Sequence, residues 1–577
     1  MLSAYFSNSR TSIIDPSLNV ISCTMVRKPS CASPTPTWQI FCFSLQVQTK
    51  MKLAILLSVM STAHAYNILC LQNVPSKSHY HLGKGLVYPL LEAGHKVTWI
   101  TTFPGKPVTN LTYIDVSHIQ ELMKHRNGNT PHSPRANRVR ASADLDMTRP
   151  QSMNLVKEIA WNVSRSTLET PAVRNALTME KYDAVITEWF FSETEVGYAA
   201  VQDAPWILLG GMLLNTHLEY LMDTVRSVPT IPALTSNYDT PMTLWQRMKN
   251  TFSFLFFTYL TMSSQSTNKA NYEKYFEPLA KARGVTLPPY YEAMHNISIM
   301  FVNSHPSFAQ PFVTPPNVVD IAGYHIDEDV PPLPKDLQDL LDSSPQGVVY
   351  FSMGSMIRSA GLPAQTRREL VKMFGELPYT VLWKFEEQME DLPRNLHIRP
   401  WMPQSSILSH PNVKVFITHG GLLSILESLH FGVPVIAVPV FADQPSNALR
   451  CVKAGHALKV DFKLPELAGN LKIALNQMLN NNSYYNRAKE ISRLFRKRPV
   501  SNKKLIQHYV ELAIESKGAY HLRSKSLLYS WYQLWMLDQL AVLILALSVV
   551  VIIIKKLFTN LFRKKEKTSI GIKYKKM

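Results

Sequence analysis

Cysteine is scarce in this chain: five in 577 residues, at Cys23, Cys31, Cys42, Cys70 and Cys451. Only the last two lie beyond residue 50, so no disulfide framework staples the bulk of the chain and it must rely on packed cores. A hydrophobic content of 46% is ample for two of them. No G-x-G-x-x-G fingerprint is evident. The Asp-x-Asp pattern at Asp327-Glu328-Asp329 runs into Pro331-Pro332 and reads as a solvated linker, so no metal is expected. Lys and Arg outnumber Asp and Glu by 60 to 42, a net charge of +18, yet residues 555–577 hold nine of those cations against Glu566 alone. The excess is largely a tail, not a nucleic-acid groove.

Residues 1–50 show no convincing periodicity and read as unstructured or as an over-extended gene start. Met51-Lys52, the apolar run Leu53 to Met60 and Ala63-His64-Ala65 make a secretory leader over 51–65 with an A-x-A cleavage site. Its apolar core is too short to span a bilayer. Glycosylation sequons at Asn110, Asn162, Asn296 and Asn481 agree with lumenal exposure. Near the other end, Leu537 to Ile554 is apolar after Asp538 and Gln539, and 18 residues rise about 27 Å as a helix, enough to cross a thin bilayer. Trp531, Tyr532 and Trp535 mark one interface and Lys555-Lys556 the other. A transmembrane helix is therefore expected over 537–554 and a basic cytosolic tail over 555–577. Lys573 and Lys575 resemble a dilysine endoplasmic-reticulum retrieval signal, with binding to acidic lipid as the plainer alternative.

The most informative stretch is Trp401 to Asn447. Val413 to Thr418 is a short β-branched strand, His419-Gly420-Gly421 a tight turn, and Leu422 to His430 a helix with Leu422, Ile425, Leu426 and Leu429 on one face. Gly432 stops that helix before a buried strand, Val433 to Val438. A βαβ unit of this kind aims backbone N–H groups and the positive helix end at an anion above the strand's carboxyl end. Taken singly, Ser424 and Glu427 fit a capping box, and His419 a core histidine. Taken together, Trp401, Pro403, Gln404, His419, Gly420, Gly421, Ser424, Glu427, Pro434, Asp443 and Gln444 stand in an order and spacing that resembles the nucleotide-sugar block of UDP-glycosyltransferases. The resemblance implies that Trp401 stacks on uracil and Gln404 holds the uracil or ribose edge. His419, the Gly420-Gly421 turn and Ser424 then take the diphosphate, Glu427 the ribose hydroxyls, and Asp443 with Gln444 the sugar hydroxyls. Leu423 stands where many plant members carry Asn, which removes one phosphate contact.

An earlier unit repeats the logic: strand Asn67 to Gln72, loop Val74 to Ser78, helix His79 to Glu92 with Gly94 as its cap, and strand Lys96 to Thr102. His79 sits at a helix N-terminus, where the dipole disfavours imidazolium and leaves a base. Pro75, Ser78 and His79 match the place where the family carries its catalytic histidine. His81, on the same helix, points about 200° away. The strand Asp183 to Ile186 leads to Glu188, at the position of the acid that orients this histidine; Glu193 and Glu195 are alternatives. Residues 103–180 read as polar and irregular. Residues 212–300 read as helical and aromatic, with Phe252, Phe254, Phe256, Phe257 and Tyr259 as candidates for an acceptor wall. After the proline-rich break at 315–334, Ser355 follows the strand Gly347 to Phe351, resembling the family residue near the diphosphate.

The expected fold is α/β of the GT-B type: two facing Rossmann-like domains, 66–325 for the acceptor and 326–525 for the UDP-sugar, with an inter-domain cleft and one C-terminal transmembrane helix. The resemblance, to animal microsomal and especially arthropod members, implies an inverting glycosyltransferase without cofactor. It would move a sugar, glucose before glucuronate, from a UDP-sugar to a hydroxyl of a small lipophilic acceptor. The expected setting is the endoplasmic-reticulum membrane, single-pass type I, with both domains lumenal, a role in detoxification, and a second copy as a further partner. The alternative is a non-catalytic nucleotide-sugar or lipophile-binding membrane protein, in which Glu188 and Leu423 mark decay.

Overall fold

The computed structural model describes residues 65–121, 150–222, 228–233, 236, 238–309, 313–355 and 357–574. Residues 1–50, the expected leader up to His64, the Arg-rich stretch 126–149 and Lys575 lie outside them.

The first sheet is wholly parallel. Its elements are β1 (Asn67–Gln72), helix α1 (Lys77–Glu92), β2 (Lys96–Thr101), β3 (Leu111–Asp115), helix α2 (Pro150–Glu169), β4 (Ala184–Glu188), β5 (Trp206–Gly210), helix α3 (Leu244–Arg283), β6 (Ile297–Val302) and β7 (Val318–Asp320). The strand order is β3-β2-β1-β4-β5-β6-β7. Side chains alternate across each strand, so β1 sends Leu69 and Leu71 into one layer and Ile68 and Cys70 into the other, where Leu82, Leu86 and Leu90 of α1 cover them. Both faces are covered by helices, which is why the strands read as apolar runs. Cys70 and Cys451 are buried free thiols.

The second sheet is parallel as well, from β8 (Val348–Ser352), β9 (Thr380–Lys384), β10 (Leu396–Arg399), β11 (Val413–Thr418), helix α4 (Leu422–Phe431), β12 (Val435–Ala437), helix α5 (Gln444–Lys453) and β13 (Ala457–Lys459). The order is β10-β9-β8-β11-β12-β13. Here Val348 and Tyr350 face one core, and Val349 and Phe351 the other. Two such sheets form the expected GT-B architecture. In each, the strand order reverses beside the first strand, between β1 and β4 and between β8 and β11. The crevice at the carboxyl ends there is where open α/β sheets bind ligands.

The chain then crosses back. Helix α6 (Asn502–Glu515) buries Ile506, Val510 and Ala513 in the core of the first sheet, and Gln507 Nε2 donates to the Pro89 carbonyl at 2.7 Å. The last part of the range 326–525 thus packs on the first domain. Beyond it runs α7 (Leu537–Tyr574), whose stretch Leu537–Arg563 holds an 18-residue window with a mean hydropathy of 2.8, none of it buried. It is the one helix among the described residues long and apolar enough to cross a membrane. The helix continues well past the expected end at Ile554.

One expectation needs correcting. Residues 103–180 are not irregular throughout: Leu111–Asp115 is β3, and 150–179 form two helices, α2 and Pro171–Met179. Interspersed Asn, Ser and Lys mask a helical stripe in α2, where Met153, Ala160 and Val163 are buried and Val156 packs beside them.

Candidate active site

In the first sheet, Leu71 of β1 pairs with Thr187 of β4, so the carboxyl ends of the two strands lie side by side. Glu188 ends β4, and His79 stands in the first turn of α1, a few residues beyond the end of β1. Their side chains meet: His79 Nδ1 lies 2.5 Å from Glu188 Oε1. A buried carboxylate accepts the Nδ1–H, which leaves Nε2 as the free ring nitrogen. Glu188 is 1% exposed and His79 23%, so the acid is sequestered while the ring reaches the cavity. Phe190 packs edge-on against the imidazole, with centroids 5.4 Å apart. Gly211 gives the acid its room, since a Cβ there would stand 2.8 Å from Glu188 Oε1.

The alternative acids are engaged elsewhere. Glu193 accepts from His217, from Asn268 Nδ2 at 2.7 Å and from Trp189 Nε1 at 3.4 Å. Glu195 accepts from the Ser164 hydroxyl, and burial pushes it up to about 7.

In the second sheet, Ser352 of β8 pairs with Thr418 of β11, and the loops beyond them converge. Gly354 has φ +75°, and a Cβ there would collide with the His419 ring, as would one on Gly421. Burial and the Lys384 ammonium pull His419 down to about 4, so it is a neutral imidazole near pH 7. Gly421 is the N-cap of α4 in extended conformation, with no side chain capping the helix. The first-turn N–H groups therefore have no intrahelical partner and suit an anion. Ser424 is not a capping residue: its hydroxyl accepts from Gln404 Nε2 at 3.0 Å. Gln404 also donates to Glu427, and the Ser405 hydroxyl donates to Glu427 Oε1 at 2.6 Å. Burial raises the Glu427 carboxyl, and those two donors oppose the rise.

Gln444 Oε1 accepts from the backbone N–H of Val440 (2.8 Å) and Phe441 (3.1 Å), fixing the loop that presents Asp443. Asn447 was not singled out from sequence, although it lies one helical turn beyond Asp443. Its Nδ2 donates to Asp443 Oδ2 at 2.8 Å and to the Gly420 carbonyl at 3.1 Å, joining the two loops. Burial raises the Asp443 carboxyl.

Two cavities adjoin across Ser355, Leu423 and Ser424. One, of about 360 Å³, is lined from both sheets: His79 and Glu188 from the first, Ser355, His419, Gly421, Ser424, Asp443 and Gln444 from the second. The other, of about 320 Å³, takes Trp401, Gln404 and Glu427, with Lys384 beside them. Among the expected catalytic and donor-binding residues, Gly420 alone lines neither and lies behind Gln444. Trp401 is 48% exposed and carries Lys77 Nζ at 4.9 Å from its ring centre.

Several expectations change here. Asp327 is not merely part of a linker: it pairs with Lys84 of α1 at 3.2 Å, and both line the second cavity. His81 points away from His79 as expected, lining that same second cavity and not the one His79 lines, and burial pulls its pKa down. The apolar walls of the first cavity come from Val156 and Ile159 of α2 and from Phe190, Phe191 and Met212, and not from the aromatics of α3 expected to form an acceptor wall. Only Phe257 among those lines a neighbouring pocket, while Phe252 and Tyr259 are exposed. Of the sequons, Asn110, Asn296 and Asn481 are exposed, with the Asn296 amide oxygen accepting from Arg523, and Asn162 is half-buried within α2.

Comparison with known proteins adds the following. The family model described as UDP-glucoronosyl and UDP-glucosyl transferase matches residues 78–571. UDP-glucosyltransferase 2 of Dactylopius coccus is 34% identical over 504 residues, 87% of this chain and 94% of the relative. UDP-glucuronosyltransferase 2B7 of Homo sapiens is 30% identical over 328 residues, 56% of this chain and 60% of the relative. Among solved structures, a UDP-glucosyltransferase from Polygonum tinctorium aligns with a TM-score of 0.49 at 15% identity, covering 79% of this chain and all of that one.

Proposed function

This chain belongs to the UDP-glucuronosyl and UDP-glucosyl transferase family, as a glycosyltransferase that uses a UDP-sugar, and from that premise we propose an inverting displacement at the cavity shared by the two sheets. His79 Nε2 takes the proton of an acceptor hydroxyl as its oxygen attacks the anomeric carbon from the face opposite UDP. The carbon–oxygen bond to UDP breaks, and its electron pair leaves on the diphosphate. Glu188 holds the Nδ1–H and balances the imidazolium that forms. The leaving charge develops against the first turn of α4, where Ser424 and free N–H groups face the site. Trp401 stacks on the uracil, Gln404 and Glu427 hold the nucleoside, and Asp443 with Gln444 reads the sugar hydroxyls. The observation that carries this reading is the 2.5 Å His79–Glu188 contact in a cavity that also reaches the turn before α4.

The favoured donor is UDP-glucose. The cavity at Asp443 contains no Lys or Arg among its described lining residues, so nothing cationic there meets a glucuronate carboxylate. A relative 34% identical, of which this chain covers 94%, is named a UDP-glucosyltransferase. Val74, Pro75, Val156, Ile159, Phe190 and Phe191 suit a small lipophilic acceptor. Helix α7 anchors the protein in the endoplasmic-reticulum membrane, its aromatic entry Trp531, Tyr532 and Trp535 exposed on the lumenal side and its basic end cytosolic.

The test is turnover in microsomes. His79→Ala should lose transfer to phenols by at least about 10³-fold while binding UDP as before. Unmodified protein that binds UDP but transfers nothing across a broad acceptor panel would instead be a nucleotide-sugar-binding protein.

A further inference from the structure

Helix α3 is amphipathic in opposite senses along its length. In its C-terminal half, Tyr272, Phe276 and Ala280 are buried, and Lys269, Glu273, Lys274 and Glu277 are exposed, as in any surface helix. The N-terminal half is inverted. Its inward face carries the polar Asn250 and Thr261 beside Leu260, whereas Trp245, Met248, Phe252, Leu255, Tyr259 and Met262 are each more than half exposed. Their alternating spacing of three and four residues places them on one stripe, about 26 Å long.

The helix cannot simply roll to bury this stripe, because its polar face is already committed. Asn250 Nδ2 donates to the carbonyls of Val228 (2.6 Å) and Ile231 (2.8 Å), and its Oδ1 accepts from Ala233 N at 2.7 Å. Thr261 Oγ1 meets His217 Nδ1 at 2.9 Å, and Asn268 donates to Glu193. Rotation would leave these buried polar groups without partners, which opposes it.

We propose that this outward stripe of α3 lies on the surface of an anionic lipid bilayer. Its composition, Trp, Tyr, Phe, Leu and Met, is that of an interfacial helix, and its charges are of one sign. Arg247 and Lys249 flank the stripe, and no acidic residue occurs from Leu244 to Tyr272. That charge pattern also opposes a second copy, whose identical face would bring basic flanks together with no acid between them. A bilayer with anionic head groups complements both the apolar stripe and the cations. The proposal rests on the reading of α7 as a membrane anchor, which keeps the globular part near the lipid so that even a weak surface contact is populated. It does not depend on the chemistry of the cleft.

The test uses the full chain in phosphatidylcholine vesicles with and without phosphatidylserine. Cys23, Cys31 and Cys42 are replaced by Ser, and an environment-sensitive fluorophore is attached at Phe252→Cys or, as the control, Lys274→Cys; UDP binding verifies the fold. The fluorophore at 252 should shift to the blue and be quenched by spin-labelled lipid at least about twofold more than that at 274, more strongly with phosphatidylserine and less in high salt. Equal access of aqueous iodide to both positions would overturn the surface contact. Protection at 252 that instead follows copy-to-copy cross-linking would overturn it in favour of a dimer. Release of the protein by alkaline carbonate would remove the anchor and the proposal with it, leaving turnover in the cleft untouched.

Discussion

The two sheets end in similar crevices that are equipped differently. At the end of the first stand one histidine and one sequestered acid, joined by a single contact. At the end of the second, polar groups are spread over loop glycines, a helix N-terminus, the linked side chains of Gln404, Ser424 and Glu427, the Asp443–Asn447 pair, and Gln444 on the backbone of its loop. A proton acceptor acts as a unit, so the first crevice should fail all at once. A binding surface divides its free energy among many contacts, so the second should fail by degrees.

The largest departure from symmetry is expected for Glu188→Gln in the first crevice. The amide cannot balance the imidazolium, so kcat should drop by about 10²–10³-fold with the Kd for UDP unchanged; a parallel loss of UDP binding would dissolve the contrast. Next comes Gly211→Ala, whose methyl would press on Glu188 Oε1 and Leu82. Displacing the acid should cost about 10-fold or more in kcat, and wild-type turnover would mean that the acid's position is not critical. In the second crevice, Glu427→Gln removes a charged acceptor and should weaken UDP-sugar binding by about 10-fold, read as donor KM or by calorimetry, with the pH profile of kcat unmoved.

The smallest effect concerns acid. Burial holds His305, His419, His430 and His456 down to about 4 and His325 to about 3, all in the second half or at the join. In the unfolded chain they take up protons near pH 6.5. Between about 6.5 and 4 the unfolded state therefore binds more protons, and the stability from these neutral imidazoles, full above that window, is lost as pH falls through it. Tm should fall by roughly 10 °C from pH 7 to pH 5, with proteolysis opening the second domain first. First cleavage within β1–β5 would reverse the expected order.

Much of the second crevice was readable because its parts are close in sequence. Val413–Thr418, the glycines after it and the apolar face of α4 lie within one βαβ unit, where short-range periodicity and a turn suffice. The capping-box reading of Ser424 and Glu427 fails because α4 begins two residues before Ser424 and Gln404 claims the serine. The first crevice was harder. His79 and Glu188 are 109 residues apart, and Glu193 and Glu195 stand close enough to the end of β4 to be alternatives to Glu188. What separated them was the parallel pairing of β1 with β4, which sets Glu188 beside the end of β1 and leaves Glu193 to His217. The walls supplied by α2 were missed because polar residues dilute its stripe.

Local pattern alone marked β1, β2, β4, β8, β11 and β12, the helix that begins at Leu422, the membrane-length apolar run and the residue types of both crevices, because these follow from short-range periodicity and backbone chemistry. Only the tertiary structure decided which acid meets His79, that Asp327 reaches Lys84, and that half of α3 turns its apolar side outward. Each depends on which distant segments are packed together, and a periodicity of 3.6 residues marks that a helix has two faces without saying which one the rest of the fold will cover.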